Sequence, residues 1–151
     1  MERSVDLQHT LEEYSRIFGS GGIYSYEKSP EQLINELIEG TMELGYIKDP
    51  DTEEILAFCF FYRLDLHYYY IEYLGVPDRH QGKGLGKKLL VSVVEHCVDS
   101  DPELIEGVRL LCPDDKVTFY ERNGFRRDGL ETDEDSGIIW NKMVHFNNKN
   151  G

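Results

Sequence analysis

The sequence predicts a single α+β domain with one hydrophobic core. Two helical segments come first, three strands follow in succession, and helices and strands then alternate over the rest of the chain. One of these strands is an almost continuous apolar run, which is typical of a strand buried on both faces. The length of 151 residues fits one domain, taken as 1–151, and a hydrophobic content of 40% is enough to build a packed interior.

The first part of the chain is predicted to form two helices. Residues 9–18 carry apolar side chains at helical spacing. The second helix has Ser29 as its N-cap and Pro30 in its first turn, and it ends at Gly40. A strand ahead of the first helix would have to come from residues 4–8.

The middle of the chain is predicted to form three strands, at residues 42–47, 55–62 and 67–76. Short segments of turn residues separate them, so consecutive strands are expected to pair as an antiparallel meander. The second strand contains the apolar run from Ile55 to Phe61, and we expect it to be buried on both faces.

The last part of the chain is predicted to alternate between helix and strand. Residues 84–98 carry two adjacent apolar stripes at helical spacing. A strand at 107–112 and a helix at 114–122 follow, and Asn123-Gly124 is typical of a left-handed helix stop. The closing strands are 125–128 and 138–146, joined by an acidic loop at 131–135.

The charge balance excludes two classes of partner. Asp and Glu number 29 against 16 Lys and Arg, which gives a net charge of −13. Nucleic acids and anionic membranes are bound mainly through clustered Lys and Arg, so we expect neither as a partner. An acidic surface attracts cations, amines among them, although it also serves simply to keep a protein in solution.

Cysteine usage and hydropathy predict a cytoplasmic protein. Cys59, Cys97 and Cys112 lie in apolar runs and form no CxxC pair, so we expect buried, reduced thiols. The five histidines show no ligand spacing with Cys, Asp or Glu, so no metal site is expected. No apolar run approaches the ~20 residues of a membrane span, and the amino terminus lacks the apolar core of a signal peptide.

A glycine-rich segment between the third strand and the next helix carries the strongest functional signal. Gly82, Gly84 and Gly86 lack side chains, so backbone N–H groups there can approach an anion closely. The start of the helix adds unsatisfied N–H donors and a partial positive charge. Residues 79–88 also hold four Lys and Arg residues and no acid, in an otherwise acidic chain. These features predict a phosphate-binding loop; a glycine turn with solvated lysines is the alternative.

The pattern of this loop excludes the two common nucleotide-binding motifs. The P-loop pattern GxxxxGK[ST] fails because its first glycine is missing. The dinucleotide pattern GxGxxG fails because Lys87 stands where the third glycine should be. The preceding strands also form a meander and not a βαβ unit.

The loop closely resembles motif A of the GNAT superfamily of N-acetyltransferases, with the Q/R-x-x-G-x-G/A signature at Gln81, Gly84 and Gly86. Downstream, the segment FYERNGF at Phe119–Phe125 resembles the end of the family's motif B. With its flanking elements, the resemblance covers about residues 30–146. It implies the GNAT fold, a mostly antiparallel mixed sheet with helices on both faces, and acetyl-CoA as the co-substrate.

The resemblance also implies an activity and roles for particular residues. A GNAT enzyme moves an acetyl group directly from the CoA thioester to a primary amine of a small molecule or peptide. Tyr120 matches the family tyrosine that can act as general acid. Family members differ in where the base sits; in this sequence Glu72 is the best candidate, because it lies two residues before Leu74 and shares its face of the strand. The alternatives are a core aromatic for Tyr120 and a surface salt bridge for Glu72. Gly75 is expected to permit a bulge that opens the strand before the loop. The residues expected to bind the cofactor are Leu74, Gly75, Val76, Gln81, Gly82, Lys83, Gly84, Leu85, Gly86 and Lys87.

The acceptor side is less defined by the sequence. The family often has a cofactor-holding Asn where Pro113 stands and Ala where Lys116 stands. Tyr24, Tyr26 and the acidic residues 131–135 are candidates for binding a cationic amine, and a solvated loop is the alternative for the acidic segment. Two other functions fit the glycine loop: a non-catalytic acyl-CoA sensor and an anion-binding protein without CoA preference. Many family members are dimers, so a homodimer is one expected assembly.

Overall fold

The structure is a computed structural model and describes residues 4–18 and 28–147. Tyr24 and Tyr26 lie outside these residues. Within them, the strands form one sheet in the order β1-β2-β3-β4-β6-β5. The elements in chain order are α1 (Val5–Phe18), α2 (Pro30–Glu39), β1 (Glu43–Lys48), β2 (Ile55–Arg63), β3 (Tyr68–Gly75), α3 (Leu85–Ser100), β4 (Gly107–Cys112), α4 (Val117–Arg122), β5 (Arg126–Thr132) and β6 (Ile139–Phe146).

Helix α1 begins earlier than the sequence pattern predicts. The Ser4 hydroxyl accepts a hydrogen bond from the backbone N–H of Leu7 at 3.0 Å, which caps the helix and satisfies one of its free donors. Residues 5–8 are therefore helical, and no strand forms at residues 4–8, where an amino-terminal strand would have had to lie. The apolar positions alone could not show this, because the first turn of α1 is held by its cap and not by a buried side chain.

Helix α2 has the boundaries that its end residues predict. The Ser29 hydroxyl accepts from the backbone N–H of Gln32 at 3.1 Å, and Pro30 occupies the first turn. Gly40 ends the helix with φ of +80°, a conformation that glycine adopts without steric cost.

The sheet is mixed. Only a few residues connect β1 to β2 and β2 to β3, so these neighbouring strands run antiparallel, which confirms the predicted meander. Strand β4 pairs parallel with β3 after the crossover through α3, and β6 pairs antiparallel with both β4 and β5. Strand β2 is buried on both faces as predicted, with Phe58, Cys59, Phe60 and Phe61 each no more than 3% exposed.

The chain packs as two compact units, and in each of them a helix residue contacts aromatic residues of β2. In the first unit, which spans 1–60 and 73–90, Tyr14 of α1 contacts the rings of Phe58 and Phe60. In the second unit, which spans 61–72 and 91–151, Phe61 contacts His96 of α3. Among the described helices, none is long and apolar enough to cross a lipid bilayer.

The carboxyl-terminal part differs from the prediction in two details. The predicted helix at 114–122 is a 3-10 turn at Asp114–Lys116 followed by the short helix α4. The predicted left-handed stop after the helix is confirmed, with φ of +90° at Gly124. Strand β5 continues through Thr132, so the first two residues of the predicted acidic loop at 131–135 belong to a strand that pairs with β6.

Candidate active site

The predicted order of strand, glycine turn and helix is present in the first unit. A 3-10 turn at Asp78–His80 follows β3, and α3 begins at Leu85. Gly82 and Gly84 have φ of +81° and +75°, in the left-handed region that disfavours other residues. A Cβ atom added at either glycine would meet nothing within 4 Å. The two glycines are therefore required by the backbone conformation, and the space beside them is open.

The start of α3 presents backbone donors next to this turn. The first helical hydrogen bond runs from the N–H of Lys88 to the carbonyl of Gly84, at 3.1 Å. In an α-helix the N–H groups ahead of that bond have no carbonyl partner within the helix. Those of Leu85, Gly86 and Lys87 are in this position. Together with the partial positive charge of the helix end, they form a site suited to an anion.

The cations of the loop divide into two groups, which the sequence could not separate. Lys83, Lys87 and Lys88 are exposed. The Arg79 guanidinium instead contacts Glu13 at 2.9 Å and Glu54 at 3.2 Å, and the hydrogen bond with Glu13 raises the pKa of Arg79. The positive charge of Arg79 is therefore balanced by carboxylates, and Arg79 does not add to the excess charge that the sequence assigns to residues 79–88.

His80 and Gln81 hold the start of the loop by different contacts. His80 hydrogen-bonds the carboxylate of Glu54, and 13% of its side chain is exposed. The Gln81 side-chain amide donates to the carbonyl of Val76 at 3.1 Å and to the carboxylate of Asp78 at 3.2 Å. The signature glutamine thus holds the loop against the end of β3.

Gly75 is needed for packing at the end of β3. A Cβ atom there would lie 2.4 Å from Cζ of Phe58, whose ring is fully buried. Leu74 and Val76 flank it and are partly exposed. The structure therefore gives Gly75 a packing role, in addition to any effect on strand pairing.

Strand β3 is irregular between Tyr70 and Tyr73. The ring of Tyr70 contacts Tyr62, and that of Tyr73 contacts Phe60. Tyr62 and Phe60 lie two residues apart and share one face of β2, whereas Tyr70 and Tyr73 lie three apart and would alternate to opposite faces in a regular strand. One extra residue in β3 resolves this difference, which is a β-bulge.

Glu72 lies within this irregular stretch. The pairs that join β3 to β4 run from Tyr68 to Ile71, so Glu72 is the first residue of β3 beyond them. Its side chain is partly exposed. The bulge predicted at Gly75, which would separate β3 from the next strand, stays a prediction.

Tyr120 lies in the second unit, on α4. Its ring packs edge-on against Phe119 at 5.1 Å and Phe125 at 5.5 Å between centroids. Only 9% of the residue is exposed. The Asn123 amide donates to the carbonyl of Phe119 at 2.8 Å and closes the end of the helix. The FYERNGF segment thus holds Tyr120 in a fixed position.

Asn141 is a buried polar residue that the sequence reasoning missed. Its side-chain amide donates to the carbonyl of Cys112 at 3.2 Å and to the carboxylate of Asp114 at 2.8 Å. These contacts fix the turn between β4 and α4, next to Pro113, where the family often has an asparagine. One feature of the sequence could have indicated this role. Asn141 lies two residues before Met143 and so shares its inward face of β6, where a polar side chain needs hydrogen-bond partners.

The three cysteines are free and buried, as predicted. Burial, and then Asp115 and Asp114, raise the pKa of the Cys112 thiol to about 11. A thiol with such a pKa stays protonated and unreactive at neutral pH. Among the described residues, no group of three or more His, Cys, Asp and Glu side chains is arranged to hold a metal ion.

Comparison with known proteins identifies the family. The family model described as "Acetyltransferase (GNAT) domain" matches residues 44–127. A search of curated proteins by sequence gave no match. Among solved structures, Arabidopsis thaliana NAA60 in complex with acetyl-CoA is 20% identical with a TM-score of 0.70, over 91% of this chain and 93% of that one.

Two further solved structures share the fold. A spermidine N-acetyltransferase SpeG chimera from Vibrio cholerae and hSSAT is 14% identical with a TM-score of 0.72, over 95% of this chain and 92% of that one. An aminoglycoside 6'-N-acetyltransferase complexed with coenzyme A is 14% identical with a TM-score of 0.72, over 93% and 89% of the two chains. The family match covers more than half of the sequence, and the chain belongs to the GNAT acetyltransferase family.

Proposed function

We propose that the protein is an acetyl-CoA-dependent N-acetyltransferase that acts on a primary amine of a small molecule or a peptide. The observation that carries this proposal is the open glycine turn at the start of α3. Gly82 and Gly84 leave space where any side chain would stand, and the N–H groups of the first helical turn border it. The arrangement suits a pyrophosphate, and structures of the same fold contain acetyl-CoA or coenzyme A.

The residues of the first unit fit the binding of acetyl-CoA. In this proposal the backbone from Gly82 to Lys87 holds the pyrophosphate, with Lys83 and Lys87 as exposed cations beside it. The end of β3, at Leu74, Gly75 and Val76, holds the pantetheine arm through backbone groups. Acetyl-CoA supplies the activated acetyl group when bound.

Two side chains of the second unit are proposed to handle protons. The Tyr120 hydroxyl would provide the proton that the departing sulfur needs, and the aromatic packing around its ring would keep that hydroxyl in one place. Glu72 would accept the proton of the amine, directly or through water. An amine with a pKa of ~10.4 is mostly protonated at neutral pH, so a nearby carboxylate that accepts its proton makes the reactive neutral form accessible.

The charge of the chain supports a cationic acceptor. The net charge of −13 favours the approach of amines over that of anions. The three buried free thiols fit a reducing compartment, and we place the protein in the cytoplasm on this ground.

Two measurements test the proposal. Calorimetry with acetyl-CoA, CoA and ATP should show micromolar binding of acetyl-CoA, and equal or stronger binding of ATP would exclude the CoA assignment. A thiol-release assay over a panel of small amines and peptide amines should then reveal an acceptor. If the protein binds acetyl-CoA but no amine class raises the release of CoA thiol above background hydrolysis, the protein is a non-catalytic acyl-CoA sensor.

The role of Tyr120 has a separate test. Tyr120→Phe should lower kcat about a hundredfold, the scale of one general acid, while acetyl-CoA affinity stays close to that of the wild type. Tyr46→Phe is the matched control, because Tyr46 is exposed and its hydroxyl bonds Asp6 of α1. A wild-type rate in Tyr120→Phe would remove its acid role without affecting the assignment of the co-substrate.

A further inference from the structure

A network of charged side chains joins α1 and the start of β2 to the 3-10 turn ahead of the glycine loop. The Arg79 guanidinium contacts Glu13 of α1 at 2.9 Å through Nη2 and Glu54 at 3.2 Å through Nε. His80 hydrogen-bonds the same Glu54 carboxylate. All of these residues belong to the first unit, and they come from three separate segments of the chain.

Burial makes Glu13 the central member of this network. Its side chain is 8% exposed, against 46% for Arg79 and 42% for Glu54. A buried carboxylate is costly unless cations and hydrogen bonds compensate it, and removal of its partner is strongly destabilising. Among the described residues, Arg16 also contacts Glu13, and its side chain is 63% exposed. Loss of the Arg79 contact would leave the buried Glu13 carboxylate poorly compensated, and this cost keeps Arg79 in place.

The network reaches into the loop itself. The Nζ atom of Lys83 lies 3.3 Å from Nδ1 of His80, and Lys83 stands between Gly82 and Gly84. Glycines with positive φ set the conformation of the loop but do not restrict it to that conformation, because glycine populates both signs of φ. The loop therefore needs anchoring from outside, and Arg79 and His80 are the residues ahead of it that are tied to other segments.

We propose that Glu13 and Glu54 are positioning residues for the phosphate loop. They hold Arg79 and His80, and through these the backbone N–H groups of residues 82–87, in the arrangement that receives the pyrophosphate. This inference rests on the proposed function and deepens it by assigning a role in co-substrate binding to a carboxylate of α1. Neither carboxylate contacts the co-substrate in this account, and the anion is left to the lysines and the helix start.

The charge arrangement supports this division of roles. Glu54 accepts from His80 and Arg79, and these hydrogen bonds lower the pKa of Glu54, so it stays ionised and retains both partners. Arg79 contributes no free charge, because carboxylates balance it. Lys83, Lys87 and Lys88 are exposed and remain available to an anion. The segment thus contains one cation that anchors the loop and three that remain exposed.

The test is acetyl-CoA binding and turnover in Glu13→Gln, which keeps the shape of the side chain and removes its charge. The matched control is Glu12→Gln, the same change on the exposed neighbour in α1. We expect Glu13→Gln to weaken acetyl-CoA binding and raise its KM roughly tenfold, a middle value for coupling between residues of one network. The kcat at saturating acetyl-CoA should change little, and Glu12→Gln should match the wild type in both quantities.

A second readout separates positioning from general damage. Amide hydrogen exchange over residues 78–86, measured without ligand, should speed up in Glu13→Gln and Arg79→Gln, while exchange in β4 and β6 stays unchanged. The double variant Glu13→Gln/Arg79→Gln should bind acetyl-CoA no more weakly than Arg79→Gln alone, because Arg79→Gln already removes the contact with Glu13, together with the one to Glu54.

The outcomes distinguish this inference from the proposed function. If the wild-type protein binds acetyl-CoA and Glu13→Gln binds it as tightly as Glu12→Gln does, the positioning role is overturned and the proposed function stands. Strictly additive losses in the double variant would overturn it as well. Failure of the wild-type protein to bind acetyl-CoA would overturn the proposed function, and the role of Glu13 in co-substrate binding with it.

Discussion

The side-chain amide of Asn141 lies 2.8 Å from a carboxylate oxygen of Asp114, so a residue of the last strand fixes the turn that leads into α4. The same amide donates to the carbonyl of Cys112 at 3.2 Å. Asn141 is fully buried, so the two hydrogen bonds that its amide donates replace bonds to water for groups with little access to solvent. This contact connects a core position of β6 to the turn six residues ahead of Tyr120.

Replacement of Asn141 should therefore destabilise the fold. Asn141→Ala leaves the Cys112 carbonyl without its side-chain donor, and we expect the free energy of unfolding to fall by about 1–3 kcal/mol. Urea denaturation measures the change. Lys142→Ala, on the exposed neighbour in β6, should stay within about 0.5 kcal/mol of the wild type. Equal stability of the two variants would show that the amide is not needed for the turn.

The contrast between Asn141 and α2 shows what local sequence can predict. Ser29, Pro30 and Gly40 set the ends of α2 through their own backbone and hydroxyl chemistry, so the helix boundaries follow from three residues. Asn141 finds its partners 27 and 29 residues away in sequence. No local pattern encodes those partners, and the role of Asn141 required the fold.

The glycine loop shows the same limit within one segment. The positive φ at Gly82 and Gly84 follows from a residue type that alone adopts it freely, so the turn could be predicted. The partners of Arg79 could not, because Glu13 precedes it by 66 residues and comes from another helix. The number of positive residues in the loop therefore does not tell a cation that is paired with carboxylates, such as Arg79, from the exposed lysines.

Gly75 and Phe58 provide a test of close packing at the end of β3. In Gly75→Ala the new Cβ would stand 2.4 Å from the Phe58 ring, so the buried ring or the strand must move. We expect a loss of about 1–3 kcal/mol in the free energy of unfolding, typical of overpacking. Urea denaturation of Gly75→Ala, Phe58→Leu and the double variant measures the coupling. The smaller leucine should recover part of the loss, and fully additive effects would contradict the contact.

The Cys112 thiol predicts a pH dependence of stability. Burial, aided by Asp115 and Asp114, raises its pKa from 9.0 to about 11. Between these values the unfolded chain has released the thiol proton while the folded chain retains it, so stability falls as pH rises through this window. Below pH 9.0 the stabilising contribution is fully present.

Cys112→Ala removes this contribution and allows it to be measured. The stability advantage of the wild type over Cys112→Ala should shrink as pH rises from 9.0 towards about 11. Urea denaturation below and within the window measures that difference. Val108→Ala, a buried change on the same strand without a titrating group, should show a cost that does not vary with pH. A wild-type advantage that is constant with pH would mean that the folded thiol titrates at its ordinary pKa.

Gly84 and Gly137 form a matched pair that separates strain from binding. Their φ values are +75° and +74°, and a Cβ atom at either would meet nothing within 4 Å. Alanine at either position should cost about 1–2 kcal/mol of stability, because both force a left-handed conformation on a residue that disfavours it. Only Gly84 borders the start of α3, so Gly84→Ala should weaken acetyl-CoA binding at least tenfold while Gly137→Ala should not. Calorimetry on the two variants makes the comparison, with urea denaturation to confirm that their stabilities match. Undiminished acetyl-CoA binding in Gly84→Ala would show that the phosphate lies elsewhere.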